Sequence, residues 1–252
     1  MADNPRMHAL PGLIALPALP VLVLAAMLAL PARLAAEAVA APNPGVDAVH
    51  AVDAADAPAQ TAGALAAYES GRTEEAQRLF LLSASKGDAL AAYNAAVIRL
   101  NGESAAPEES TAVALLMQSA RAGFATAQHM LATLYESGQF LPASQALALK
   151  WYRLAAEQGI AEAQLAVATQ YFLGRGTALD YAQAARWYGM AAEAGDAGAQ
   201  YILASMFETG LGVRPDLEQA LAWYTAAARQ GDVVAPYKAK DVVDRLAARR
   251  GQ

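Results

Sequence analysis

The sequence contains no cysteine. Disulfides, thiolate metal sites and a cysteine nucleophile are thereby excluded, as is a bacterial lipoprotein anchor, which needs a cysteine at its cleavage site. Histidine is almost as scarce, with His8, His50 and His129 the three in the chain. One histidine in the folded region, without a thiol, does not make a usual zinc site. Positive charge is short too: 18 basic side chains stand against 24 acidic ones, for a net charge of −6. A mildly acidic chain with no basic stripe argues against nucleic acid as the main partner. No nucleophile-elbow sequence marks a serine hydrolase. Gly174-Arg-Gly176 and Gly210-Leu-Gly212 lack the third glycine and the preceding strand of a dinucleotide fingerprint, so they read as turns. Glu108-Glu109 sits at a helix start, where acids favour the helix dipole. No catalytic residues, cofactor or metal are expected.

What the chain does have is alanine, inside an apolar fraction of 56%. Alanine is the best helix former, so a mostly helical protein is the starting expectation. The amino terminus stands apart. Arg6 and His8 lie in a short polar start. Apolar sequence runs from Leu10 to Leu30, broken early by Pro11, Pro17 and Pro20, and its unbroken part is VLVLAAMLAL. Ala36-Glu37-Ala38 and Ala38-Val39-Ala40 then supply the small residues a signal peptidase needs. Residues 1–40 are therefore expected to be a secretory signal, cut after Ala38 or Ala40, which places the protein in the periplasm or outside the cell. The rival reading keeps residues 13–30 as an inner-membrane anchor, since a span takes about 20 residues. Residues 41–60, rich in Ala, Pro and Asp, have too little apolar surface to offset their ordering entropy and read as a flexible linker. His50 lies there.

Beyond the linker the chain repeats. Gly87, Gly123, Gly159, Gly195 and Gly231 are each 36 residues apart, and so are Gly102, Gly138, Gly174 and Gly210. Trp151-Tyr152, Trp187-Tyr188 and Trp223-Tyr224 follow the same step, as do Ala155-Ala156, Ala191-Ala192 and Ala227-Ala228. A fixed period of this size marks a stack of supersecondary units. Each unit reads as two helices. In the last, helix A runs from about Ala197 to Thr209 and helix B from about Leu217 to Arg229. Asp216 followed by Gln219 suggests a capping box. Gly231 fits the left-handed residue that closes a helix, and Asp232 fits the cap of the next one. Phe124 and Ile160 replace that Asp at two junctions, which must be capped otherwise. Small alanines let helices approach closely, and the Trp and Tyr are expected to fill the wider gaps between layers.

The order Ala-x-Ala-Gln, Tyr171, Gly174-x-Gly176, Asp180, Ala184, Trp187-Tyr188, Ala191-Ala192, Gly195 resembles the Sel1-like repeat, of the tetratricopeptide-type superhelices. The resemblance implies an all-α solenoid of antiparallel helix pairs. Five units follow, 61–88, 89–124, 125–160, 161–196 and 197–232, with a capping helix over 233–252. Unit three has Phe140 where the second loop glycine belongs, so its loop is expected to differ. Unit two has Leu115-Leu116 for Trp-Tyr, and unit one has a shorter turn after Gly71. In the cap, Val234, Tyr237, Val242, Val243 and Leu246 are expected to face the last unit, with Lys238, Lys240, Arg245, Arg249 and Arg250 in solvent or at the helix end.

A solenoid offers one long concave wall, lined mostly by its A helices. The repeated A-helix places must pack, whereas another face of the same helices diverges between units. Its residues are Tyr93 and Val97 in unit two, His129, Thr133 and Glu136 in unit three, Leu165, Thr169 and Phe172 in unit four, and Tyr201, Ser205 and Glu208 in unit five. Aromatic, hydroxyl and carboxylate groups together suit a protein or peptide segment. The alternative is that some of them pack against adjacent helices, Tyr93 first. The resemblance implies a non-enzymatic interaction scaffold or adaptor of the bacterial envelope that regulates a membrane signalling or secretion component. The other reading it allows is a binder or hydrolase of cell-wall fragments or small ligands. The Sel1-like proteins to which that role attaches are rich in cysteine, and this chain has none.

Overall fold

The computed structural model describes residues 59–104 and 109–250, all within one compact unit, Ala41–Gln252. The expected signal or anchor, and the linker as far as residue 58, lie outside the described residues. Ala59 and Gln60, drawn above as linker, already belong to the first helix.

Among the described residues there are helices and no strands. Unit one contributes α1 (Ala59–Glu69) and α2 (Thr73–Ala84). Unit two contributes α3 (Ala89–Leu100) and α4 (Glu109–Arg121), and unit three α5 (Ala125–Ser137) and α6 (Gln145–Glu157). Units four and five follow with α7 (Ala161–Leu173), α8 (Tyr181–Glu193), α9 (Ala197–Thr209) and α10 (Leu217–Arg229). The last helix is α11 (Ala235–Arg250). Each helix packs chiefly against the one before and the one after it, as an α/α solenoid requires. None of the described helices is long and apolar enough to cross a membrane.

Alanine explains the close stacking. Ala91, Ala127, Ala163 and Ala199 recur at one A-helix place, and Ala96, Ala132, Ala168 and Ala204 at another, all fully buried. Ala112, Ala148, Ala184 and Ala220 do the same on the B helices. The distance between helix axes is set by the side chains at the contact, so methyl groups there hold the layers close together.

The aromatic pairs divide their labour in a way the spacing did not show. Tyr152, Tyr188 and Tyr224 are buried, the last two completely. Trp151, Trp187 and Trp223 are half-buried and lean on the outside of the core, Trp151 and Trp187 against the cluster around Ala155 and Val167. The tyrosine, not the tryptophan, fills the gap between layers.

Caps follow the pattern with two corrections. Asp88, Asp196 and Asp232 each accept backbone N–H bonds at the next helix start, from Ala91, Ala199 and Ala235. At Phe124 and Ile160 the backbone keeps the same extended geometry without a side-chain cap, and the Phe124 ring packs edge-on against Tyr93, 5.2 Å between centroids. The capping box at Asp216 is half made. Its carboxylate accepts from the Gln219 N–H, but its own N–H donates to the Phe207 carbonyl, so the Gln219 side chain has no donor to meet. Ser144 and Asp180 close their loops identically, onto Tyr135 and Tyr171.

The loop glycines have a steric cause. At Gly176 (φ 70°) and Gly212 (φ 73°), an added Cβ would overlap the backbone of Gln145 and of Tyr181, at the B-helix start of the preceding unit. Phe140 stands in the corresponding place of unit three with φ 61°. The loop there was expected to differ, yet it keeps the same left-handed turn. Bending a side-chain-bearing residue that way costs about 1–2 kcal/mol, and the ring offsets it by packing on the core that runs through the first three units.

In α11, Ala235 and Val242 are buried and Leu246 is half-buried, but Tyr237 is 77% exposed and Val243 47%. The expectation that these two face the last unit is corrected. Tyr237 stands where Tyr93 and Tyr201 stand in their own A helices, and no B helix follows to cover it among the described residues.

Candidate partner-binding face

The buried tyrosines reach across to the A helix of their own unit. Tyr152 donates to Glu136 Oε2 at 2.8 Å, and its oxygen lies 3.2 Å from Thr133 Oγ1. Tyr224 donates to Glu208 Oε2, also at 2.8 Å, and Tyr188 pairs with Thr169 Oγ1 at 3.1 Å. Burial first, and then the Glu136 carboxylate, pushes the Tyr152 phenol far above its ordinary value. Tyr188 is raised mainly by burial, and Tyr224 by burial and the Glu208 carboxylate. All three remain neutral donors. The regular separations, 16 residues for Glu–Tyr and 19 for Thr–Tyr, are the sequence signal that finds these rungs. The tyrosines had been assigned to packing alone.

This geometry divides the diverging face proposed as a partner surface. Tyr93, Val97, Phe172, Tyr201 and Ser205 are buried, each at most 6% exposed. They are corrected to core residues. Tyr93 meets Phe124, Phe172 packs edge-on against Tyr181 at 5.1 Å, and Tyr201 against Tyr224 at 5.3 Å. Burial alone pushes the Tyr93 phenol up to about 12. In units four and five the reason is the rung itself: a B-helix aromatic that fills the gap between layers also covers the A-helix side chains facing it. His129, Thr133, Glu136, Leu165 and Thr169 remain half-buried on the A helices of units three and four, whereas the Glu208 side chain of unit five is nearly covered.

His129 is the titratable centre of what remains. Its ring lies 5.6 Å from that of Tyr152. Burial holds its pKa below the usual histidine value, against the opposite pull of Glu162 and Glu136, so the imidazole is neutral at pH 7. Glu208 is engaged within the chain. Arg245 Nη1 of α11 sits 2.5 Å from its Oε1 and Lys238 Nζ 3.4 Å from its Oε2. Two members of the basic cluster assigned to solvent are thus the latch of the capping helix.

The repeated glutamines serve the stack. Gln128, Gln164 and Gln200 donate to the carbonyls of Ala120, Ala156 and Ala192, at B-helix ends where the last carbonyls lack intrahelical partners. Unit two has Ala92 in that place, and Gln118 of α4 covers the equivalent Ala84 carbonyl instead. Among the described residues no three His, Asp or Glu side chains are placed to hold a metal ion.

The family described as Sel1 repeat matches residues 89–124, 125–160, 161–196 and 197–232. The chain belongs to the Sel1 repeat family. Sel1 repeats are commonly non-catalytic scaffolds for protein–protein interaction. A Sel1 repeat protein of Oxalobacter formigenes is similar in structure, with a TM-score of 0.65 and 28% identity over 71% of this chain and 74% of that one. A protective antigen of uropathogenic Escherichia coli that displays an SLR fold is similar at TM-score 0.58 and 28% identity. The match covers 63% of this chain, which spans only about a third of that longer protein (34%). No curated protein matches.

Proposed function

We propose that this Sel1 repeat chain is a non-enzymatic adaptor of the bacterial envelope, holding a protein or peptide segment along its A-helix face. One observation carries the reading. The residues repeated between units are spent on packing, capping, turns and the tyrosine rungs, Thr133 and Thr169 among them, whereas His129, Glu136 and Leu165 beside them form a half-buried row of mixed chemistry on adjacent A helices. Such a row offers hydrogen-bonding and apolar contact together, at a place already partly drained of water. The envelope location rests on the signal-like residues 1–40, and an exported adaptor of this kind would act on a membrane signalling or secretion component.

A photo-crosslinking residue at Leu165 is expected to capture a discrete partner from envelope fractions, and one at the exposed Arg186 of α8 is expected to capture none. Equal capture at both places, or hydrolysis of a cell-wall fragment by the pure protein, would retire the reading. Amino-terminal sequencing of exported protein tests the location, with Val39 or Ala41 expected as the first residue.

A further inference from the structure

Glu136 and Glu208 occupy the same place in units three and five, and the tyrosine of each unit donates to them alike, at 2.8 Å. They differ in what the next A helix brings. Arg245 and Lys238 close over Glu208, leaving its side chain 9% exposed. Two repeats earlier, the residues corresponding to Lys238 and Arg245 are Ala166 and Leu173, neither of which carries a donor. No described cation forms an ion pair with Glu136. Glu136 is left half-buried, with Oε2 fixed by Tyr152, and near enough to His129 for it and Glu162 both to act on the imidazole. In unit four the corresponding residue is Phe172, buried against Tyr181 and Tyr188, so that unit offers no such acceptor.

We infer that Glu136, with Tyr152 and His129 beside it, receives an arginine side chain of a protein partner, as Glu208 receives Arg245. The inference rests on the A-helix face being a partner surface and names what the partner must bring. Arginine suits the site for three reasons. Its guanidinium is more weakly hydrated than an ammonium and so enters a half-buried site more easily. Its N–H groups can reach the second carboxylate oxygen while Tyr152 holds the first, as Arg245 Nη1 reaches Oε1 of Glu208 while Tyr224 holds Oε2. Its flat face can lie on an aromatic ring, and the neutral His129 imidazole does not repel it. The protein's own α11 is the template, a helix whose arginine reaches from the neighbouring layer onto a tyrosine-held carboxylate.

The test uses the full chain and a displayed library of random peptides, with affinities of selected synthetic peptides measured by fluorescence polarisation. Selected peptides are expected to carry an arginine. Its replacement by citrulline, which is neutral and of the same shape, should weaken binding about tenfold or more, as should Glu136→Gln. The loss should be larger at low salt than at high salt. A second variant, Leu173→Arg, supplies the guanidinium from within and is expected to block these peptides while the chain's helical melting curve stays cooperative. Peptides that are competed by one another but indifferent to citrulline, to Glu136→Gln and to Leu173→Arg would overturn the arginine assignment and leave the partner-surface reading standing. A library that yields no binder at all would overturn both.

Discussion

In unit five the Tyr224–Glu208 pair is covered by Arg245 and Lys238 of α11, whereas for the Tyr152–Glu136 pair of unit three the corresponding places in the next A helix hold Leu173 and Ala166. The two rungs are alike in geometry and unlike in neighbours. The lesson is that a repeat's conspicuous residues say how it stacks, and the departures in the adjoining copy say where it is open. Unit four adds a third state, in which Phe172 takes the carboxylate's place and packs edge-on against the tyrosine, and Thr169 is its hydrogen-bond partner.

The comparison breaks most visibly if the rungs are not equivalent. Tyr224→Ala and Tyr152→Ala should each cost about 3–5 kcal/mol in urea unfolding, whereas Trp223→Ala and Trp151→Ala, at half-buried places, should cost about 2 kcal/mol or less. A tryptophan loss exceeding its tyrosine neighbour's would reverse the division of labour described above. Next in size is the latch. Glu208→Gln is expected to cost about 1–2 kcal/mol, reduced from a fully buried pair because Arg245 is 41% exposed. Glu136→Gln, with no cation to strand, should stay within about 0.5 kcal/mol. Equal costs would mean that α11 does not distinguish the two sites.

Unit four permits a change in the opposite direction. Gln170 is 1% exposed and neither amide atom finds a partner, at a place where the other units carry Ile98, Leu134 and Met206. Gln170→Met should therefore raise stability by about 1 kcal/mol, read as a higher melting temperature. The smallest effect is that of pH at unit three. His129 titrates below its unfolded value, so the unfolded chain takes up the proton first. Its contribution to stability is whole above the ordinary histidine pKa and is lost as pH falls through it. Melting temperatures of the wild type should fall more steeply with acid than those of His129→Gln. Parallel falls would show that His129 does not carry the acid sensitivity.

The solenoid, its period and the helix bounds of unit five were legible because glycine, proline-free helix runs and capping aspartates are local signals. The Asp216–Gln219 box was overread because pairing by spacing ignores a competing acceptor, here the Phe207 carbonyl. The loop at Phe140 was misread because a left-handed residue need not be glycine when its side chain finds a core. The candidate face was half legible. Divergence between copies singled out the half-buried Glu136 and His129 together with the buried Tyr201 and Phe172, and could not tell side chains hidden under B-helix aromatics from those that face water. That distinction lives in the tertiary packing of neighbouring helices, outside any single window of sequence.

What leaves no room for a side chain at Gly176 and Gly212 is the main chain of the preceding unit, at Gln145–Ala146 and Tyr181–Ala182. A contact of that kind reads no residue identity, so it works as a ruler with one graduation. Copies can be gained, lost or exchanged between members of such an array without retuning their neighbours, and their surface residues can drift independently while the spacing between layers stays constant.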